Sequence, residues 1–172
     1  MKTLTFTFIL ILSVTLIFAQ DSKKSKRQFK AEQKAQKIQL IKTIIDNKTF
    51  VFKAYSVIPS NEKVKSLIAD FGIEVRNDSI FSYMPYYGNT YSRDYSSFKD
   101  SPMGFAQPMD SYKRVKNKSG YDVNVKVTNE NDILELVFHI SKMGDATVVA
   151  SSLNRQSISY LGEILVPVLK EQ

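Results

Sequence analysis

The spacing of hydrophobic residues changes once along the chain, from the period of a helix to the period of β-strands. Between residues 27 and 46, apolar side chains recur at intervals of four and three, with Lys, Gln and Glu between them. This spacing predicts one amphipathic helix that docks by its second half only, because the apolar stripe widens there, and Asn47 is expected to end it. The stripe consists of Ala31, Ala35, Ile38, Ile41 and Ile45.

After residue 49 apolar and polar residues alternate, which predicts strands with one buried face. Turn-forming residues separate them, such as Asn77 with Asp78, Ser119 with Gly120, and the segment 129–132. The predicted strands cover residues 49–55, 66–75, 79–84, 111–116, 121–128, 133–141, 146–151 and 157–160.

Short strands joined mostly by tight turns indicate an antiparallel sheet that must close or curl to hide its edges. We therefore predict a mainly β protein: an antiparallel β-barrel, or a curled half-barrel, of about eight strands with one N-terminal helix. No internal repeat or interdomain linker interrupts the pattern.

The first residues have the pattern of an export signal. Lys2 precedes an apolar run from Leu4 to Phe18, and Ala19 lies where cleavage is expected. The predicted organisation is a signal peptide at 1–19, a basic and partly helical leader at 20–37, and a single barrel domain at 38–169. Because the chain has no cysteine, we expect neither disulfides nor a lipid-modified cysteine. The protein is then expected to be exported, periplasmic or extracellular, soluble and not lipid-anchored.

The net charge of +7 is concentrated in the leader. Residues 20–37 carry seven basic and two acidic side chains, whereas residues 38–172 are nearly balanced at +1. A nearly neutral body argues against a nucleic-acid partner. Membrane contact is expected only peripherally, through the basic leader, and the simpler alternative is that this leader is solvated.

A tyrosine-rich stretch around Pro85 and Gly88 is the most distinctive segment. It holds five of the nine tyrosines, namely Tyr83, Tyr86, Tyr87, Tyr91 and Tyr95. Tyrosine offers a large amphipathic surface at low entropy cost, so such a stretch either plugs a β core or forms the wall of a binding site. Arg155, at the head of the last predicted strand, could bind an anion or clamp the tyrosine stretch.

Two segments resemble a known family. Residues 83–91 (YMPYYGNTY) and 152–162 (SLNRQSISYLG) are similar in order and character to the secreted bacterial proteins of domain-of-unknown-function family 4251. The resemblance covers roughly residues 38–165. It implies a lipocalin-like antiparallel barrel exported to the envelope, and it implies no catalytic residue, because the family has no established activity.

The chain lacks the residues of common catalytic and metal sites. His139 is the one histidine, predicted on the more polar face of its strand beside Glu135, and no Gly-x-Ser-x-Gly motif presents a nucleophile. We find no metal-binding motif and no phosphate-binding loop, and we expect no cofactor. The sequence predicts a protein that is not an enzyme, with a hydrolase acting through aspartates such as Asp94 and Asp110 as the remote alternative.

Two functional hypotheses remain open. In the first, the barrel binds a small hydrophobic or amphipathic ligand at an aromatic mouth, with a cavity behind the tyrosines. In the second, large side chains fill the barrel, which then acts as an interaction or structural module for another envelope protein. The candidate ligand-binding residues are Tyr83, Tyr86, Tyr87, Tyr91, Arg155 and Tyr160.

Overall fold

The computed structural model describes residues 26–60, 63–88, 101–129 and 132–167. The chain divides into two compact units, residues 1–39 and 40–172. Helix α1 spans residues 26–46. Ile41, Ile44 and Ile45, in the part of α1 that belongs to the second unit, are buried in the core of that unit. Within the described residues, no helix is both long and apolar enough to cross a bilayer.

Ten strands follow α1. They are β1 (Thr49–Pro59), β2 (Lys65–Ser66), β3 (Gly72–Arg76), β4 (Ser79–Tyr83), β5 (Gly104–Pro108), β6 (Ser111–Lys116), β7 (Gly120–Asn129), β8 (Asp132–Ser141), β9 (Asp145–Ser152) and β10 (Arg155–Leu165). All pairs are antiparallel, and the order across the sheet is β5-β4-β3-β1-β10-β9-β8-β7-β6, with β2 paired to β1.

The two ends of this sheet are consecutive segments of chain. β5 pairs with β4 and β6 pairs with β7, yet only Met109 and Asp110 separate them. The Asp110 N–H donates to the Lys126 carbonyl on β7 at 2.9 Å. The sheet is therefore a strongly curled half-barrel, which confirms the predicted fold class; its likeness to lipocalins stays a prediction.

Aromatic rings fill the space inside the curl. Phe138 of β8 meets Phe50 edge to face at 5.7 Å and Phe52 edge to face at 6.2 Å between ring centroids. These three rings and Tyr160 are fully buried. Edge-to-face pairs add to the free energy of burying the rings, so the centre of the half-barrel is a packed core.

Three predicted strands have different limits in the structure, and β5 was not among the predicted strands. The first strand was predicted to end at Tyr55, and the structure extends it to Pro59. The alternation at 66–75 predicted one strand, but β3 begins only at Gly72, and residues 67–71 are a connection. The last strand was predicted to end at Tyr160, and the structure extends it to Leu165. Gly162 is not a terminator: a Cβ there would lie 2.0 Å from the Lys53 carbonyl, so glycine permits close pairing of β10 with β1.

Candidate functional site

Three of the six candidate ligand-binding residues, Tyr86, Tyr160 and Arg155, lie together at one end of the half-barrel. We call this the aromatic end. Tyr160 of β10 is fully buried, and its hydroxyl donates to the Pro85 carbonyl at 2.7 Å. Tyr86 is half-buried, and its hydroxyl donates to the Gln156 carbonyl at 2.8 Å. Burial raises the pKa of Tyr160, so its phenol stays protonated and continues to donate. The two tyrosines thus tie the segment around Pro85 to β10 in both directions.

Arg155 closes the same end through a buried ion pair. Its Nη2 lies 3.2 Å from Asp132 Oδ2, and the two side chains are only 9% and 7% exposed. Its Nη1 donates to the Pro102 carbonyl at 3.0 Å, and Asn154 Nδ2 donates to Asp132 Oδ1 at 3.1 Å. Asp132 Oδ2 accepts no hydrogen bond within the described residues, so Coulomb attraction to Arg155 compensates its charge. Arg155 therefore joins the starts of β8 and β10 to the segment that enters β5.

The remaining candidates lie nearer the surface. Lys65 makes a cation–π contact with Tyr87, with its Nζ 4.6 Å from the ring centroid. Tyr83 is 58% exposed and stacks on Phe71 with ring centroids 5.5 Å apart. Tyr91 lies outside the described residues. The structure thus brings Tyr86, Tyr160 and Arg155 together as packing groups, while Tyr83 and Tyr87 present ring surface to solvent.

The space behind these tyrosines is small. A cavity of about 10 Å³ is lined by residues that include Tyr86, Met103 and Arg155. This volume is at the lower limit for one water molecule, which needs roughly 10–15 Å³. Among the described residues, the space at this position is no larger than that, and the ligand-binding role of the candidate residues stays a prediction.

A larger concave site, which was not predicted from the sequence, lies on the outer face of the sheet. It is an open groove of about 570 Å³ that crosses β1, β10, β9, β8 and β7. We call it the outer groove. Its volume falls within the range of small-ligand sites. It is lined by Tyr55, Asn117, Ser119, Asp122, His139, Ile140, Ser141, Asp145, Ala146, Thr147, Leu161 and Gly162.

The carboxylate of Asp122, in the outer groove, accepts hydrogen bonds from two side chains. His139 Nδ1 lies 2.8 Å from Asp122 Oδ1 and must donate, because an ionised carboxylate only accepts. Asn117 Nδ2 donates to Asp122 Oδ2 at 2.8 Å, while Asn117 Oδ1 accepts from the Gly120 N–H at 2.7 Å. The hydrogen bond from His139, followed by that from Asn117, lowers the pKa of Asp122. A charged carboxylate is therefore fixed in the groove wall.

Tyr55 forms the opposite wall of the groove. The register of β1 against β10 shifts between Ala54 and Ser56, so Tyr55 lies at a β-bulge, a device that redirects a side chain. Partial burial, followed by a hydrogen bond with Glu163, raises the pKa of Tyr55 to about 12. The phenol keeps its proton at neutral pH, donates it to Glu163 and faces the groove as a partly exposed ring.

The serine hydroxyls of the outer groove are not hydrogen-bonded to His139. The two hydroxyls are bonded elsewhere: Ser119 Oγ donates to Asn117 Oδ1 at 2.9 Å, and Ser141 Oγ donates to Asp145 Oδ2 at 3.2 Å. Neither therefore makes the nucleophile-to-base hydrogen bond with His139 that acyl transfer needs. In the part of the chain that the structure describes, no group of three His, Asp or Glu side chains could hold a metal ion.

The sequence model described as Domain of unknown function (DUF4251) matches residues 32–164. The chain belongs to the DUF4251 family. The fold of this DUF4251 chain is similar to a crystal structure of a DUF4251 family protein from Bacteroides eggerthii DSM 20697, with a TM-score of 0.57 and 13% sequence identity. The alignment covers 77% of this chain and 89% of that chain.

A comparison with curated proteins finds no match. At 13% identity, the structural neighbour supports the fold of the DUF4251 domain and nothing finer. The matched range includes both the aromatic end and the outer groove, since it extends from α1 almost to the end of β10.

Proposed function

We propose that this DUF4251 protein is an exported, non-enzymatic binding module that acts through the outer face of its sheet. The observation that carries the proposal is the contrast in space: a groove of about 570 Å³ outside, against about 10 Å³ beside Tyr86 and Arg155 inside. The small space inside agrees with the filled barrel of the second hypothesis, but the partner proposed here is a small polar molecule rather than an envelope protein. Export rests on the signal-like pattern of residues 1–19.

The lining of the outer groove favours a polar ligand with hydroxyl or amino groups. Asp122 and Asp145 supply acceptors, His139 and Asn117 supply further hydrogen-bonding groups, and no Lys or Arg is among its described lining residues. The exposed ring of Tyr55 adds an apolar surface against which a compact polar molecule can pack. A long hydrophobic chain would leave Asp122 desolvated and is disfavoured there.

A ligand screen by thermal unfolding tests this proposal. Envelope-derived sugars and amines are added to wild-type protein, to Asp122→Asn and to the control Asp70→Asn, an exposed aspartate paired with Lys53 outside the groove. A ligand at 100 times its Kd should stabilise the wild type by about 2.7 kcal/mol. We expect Asp122→Asn to lose this stabilisation and Asp70→Asn to keep it.

Two outcomes would contradict the proposal. If the stabilisation persists in Asp122→Asn but disappears in a Tyr83→Ala, Tyr87→Ala double variant, the ligand binds at the aromatic end, as in the first hypothesis. If a whole envelope extract stabilises no variant, the outer groove is not a ligand site. Export is tested separately, by fractionation and N-terminal sequencing of the native protein, with cleavage expected after Ala19.

A further inference from the structure

The first part of α1 carries a one-sided stripe of positive charge. Arg27, Lys30, Lys34 and Lys37 follow one another at intervals of three, four and three residues, which places them on one helical face. Lys26 borders the same face, and all five side chains are exposed. We call this the basic stripe. At 1.5 Å per residue it extends for about 15 Å along the helix.

The helix does not neutralise the stripe. The one acidic residue between positions 26 and 39 is Glu32, which lies on the opposite face by the helical period. Phe29 is 60% exposed and lies three residues after Lys26 and three before Glu32, on the flank between the stripe and the opposite face. Five cations on one arc with an exposed aromatic ring beside them are typical of a helix that lies on an anionic bilayer surface.

From this arrangement we propose that the basic stripe of α1 docks the protein on the anionic headgroups of a lipid bilayer. The cations approach the headgroups while the Phe29 ring enters the interfacial layer. A soluble polyanion complements the cations equally well but offers the ring no apolar environment, and for that reason lipid is the better partner. This docking is independent of the outer groove, whose residues lie on β-strands and turns of the second unit.

Vesicle partitioning of the full chain tests the docking. The probes are vesicles of phosphatidylcholine alone and vesicles in which a third of the lipid is phosphatidylglycerol, with binding measured by co-sedimentation at low and high salt. The quantity of interest is the ratio of the two partition coefficients, because an apolar segment such as residues 4–18 would bind both vesicles alike. We expect tight, salt-sensitive binding to the anionic vesicles only.

A matched pair of variants locates the effect. Lys30→Gln with Lys34→Gln removes two cations from the basic stripe, and Lys116→Gln with Lys118→Gln removes two exposed cations from β6 and the turn after it. At about fivefold per cation near an anionic surface, the first variant should lose roughly 25-fold in the partition coefficient and the second much less. Glutamine is a good helix former, so α1 is retained, as circular dichroism would verify.

Three results would overturn the proposal: equal partitioning into both vesicles, equal losses in the two double variants, or no binding to anionic vesicles by a protein that still binds heparin. The last result would assign the stripe to a soluble polyanion. Phe29→Ala adds a further check, since it should weaken binding to anionic vesicles and leave heparin binding unchanged. Loss of both by Phe29→Ala would also contradict insertion of the ring.

Discussion

The aromatic end and the outer groove both contain tyrosine and charged side chains, but these are buried at the aromatic end and partly exposed in the groove. At the aromatic end, Tyr160 and Arg155 are buried, and each bonds to a backbone carbonyl of a distant segment. In the groove, Tyr55, Asp122 and His139 are partly exposed, and Asp122 is bonded to His139 and Asn117. Polar groups whose partners are buried carbonyls hold the chain together. Polar groups that keep one side open to solvent remain available to a ligand.

The largest predicted effect concerns the buried ion pair. Arg155→Met leaves the Asp132 carboxylate uncompensated inside the protein, so we expect the free energy of unfolding to fall by about 3–5 kcal/mol. Combining it with Asp132→Leu removes the orphaned charge and should recover much of that loss. Urea denaturation measures both. A loss below about 1 kcal/mol for the single variant would mean that the aromatic end is no more structural than the groove.

A pair of tyrosine variants gives a smaller and more direct contrast. Tyr160→Phe removes the donor to the Pro85 carbonyl and leaves a buried acceptor, so the free energy of unfolding should fall by roughly 1–3 kcal/mol. Tyr55→Phe removes a hydroxyl at a partly exposed position and should change it by about 0.5 kcal/mol or less. Equal losses in the two variants would erase the proposed difference between the regions.

Another small predicted effect is the pH dependence of Asp122. Because its pKa is lowered in the folded protein, its ionisation stabilises the fold above the unfolded-state pKa. That contribution is lost as the pH falls through the folded-state value. The side chain is 40% exposed, so the total is at most about 1 kcal/mol. Thermal unfolding of wild type and Asp122→Asn should therefore differ at pH 6 and converge as the pH falls through the folded-state pKa, and a difference that grows in acid would contradict the assignment.

The sequence predicts the limits of β6 to β9 to within one residue, whereas β1, β3 and β10 have different limits and β5 was not predicted. For β7, β8 and β9 the predicted limits agree with the structure to within one residue, because a buried face permits only one register. For 66–75 the alternation is misleading, since Ala69 is exposed in a connection. For β10, the predicted strand stops at Tyr160, although β10 continues through Gly162, which allows close packing against β1.

The candidate sites show the same limit. The sequence identified Tyr86, Tyr160 and Arg155 as one cluster but could not tell packing from ligand contact, which depends on the volume behind them. The outer groove was missed because Asp122 and His139 are 17 residues apart. A signal did exist: the turn-forming residues predicted at 129–132 imply a hairpin, and in the observed register of β7 and β8 Asp122 lies opposite His139.

The bend at Met109 and Asp110 affects how easily another polypeptide chain can add a strand to the sheet. A curled sheet has two unpaired margins at which a second chain could add strands. Here both margins come from one short length of backbone, with Pro108 on one and Lys113, Arg114 and Lys116 on the other. Proline lacks the donor that an added strand would need, and like charges repel another copy. Among the described residues, both margins therefore carry features that disfavour the addition of a strand from another copy.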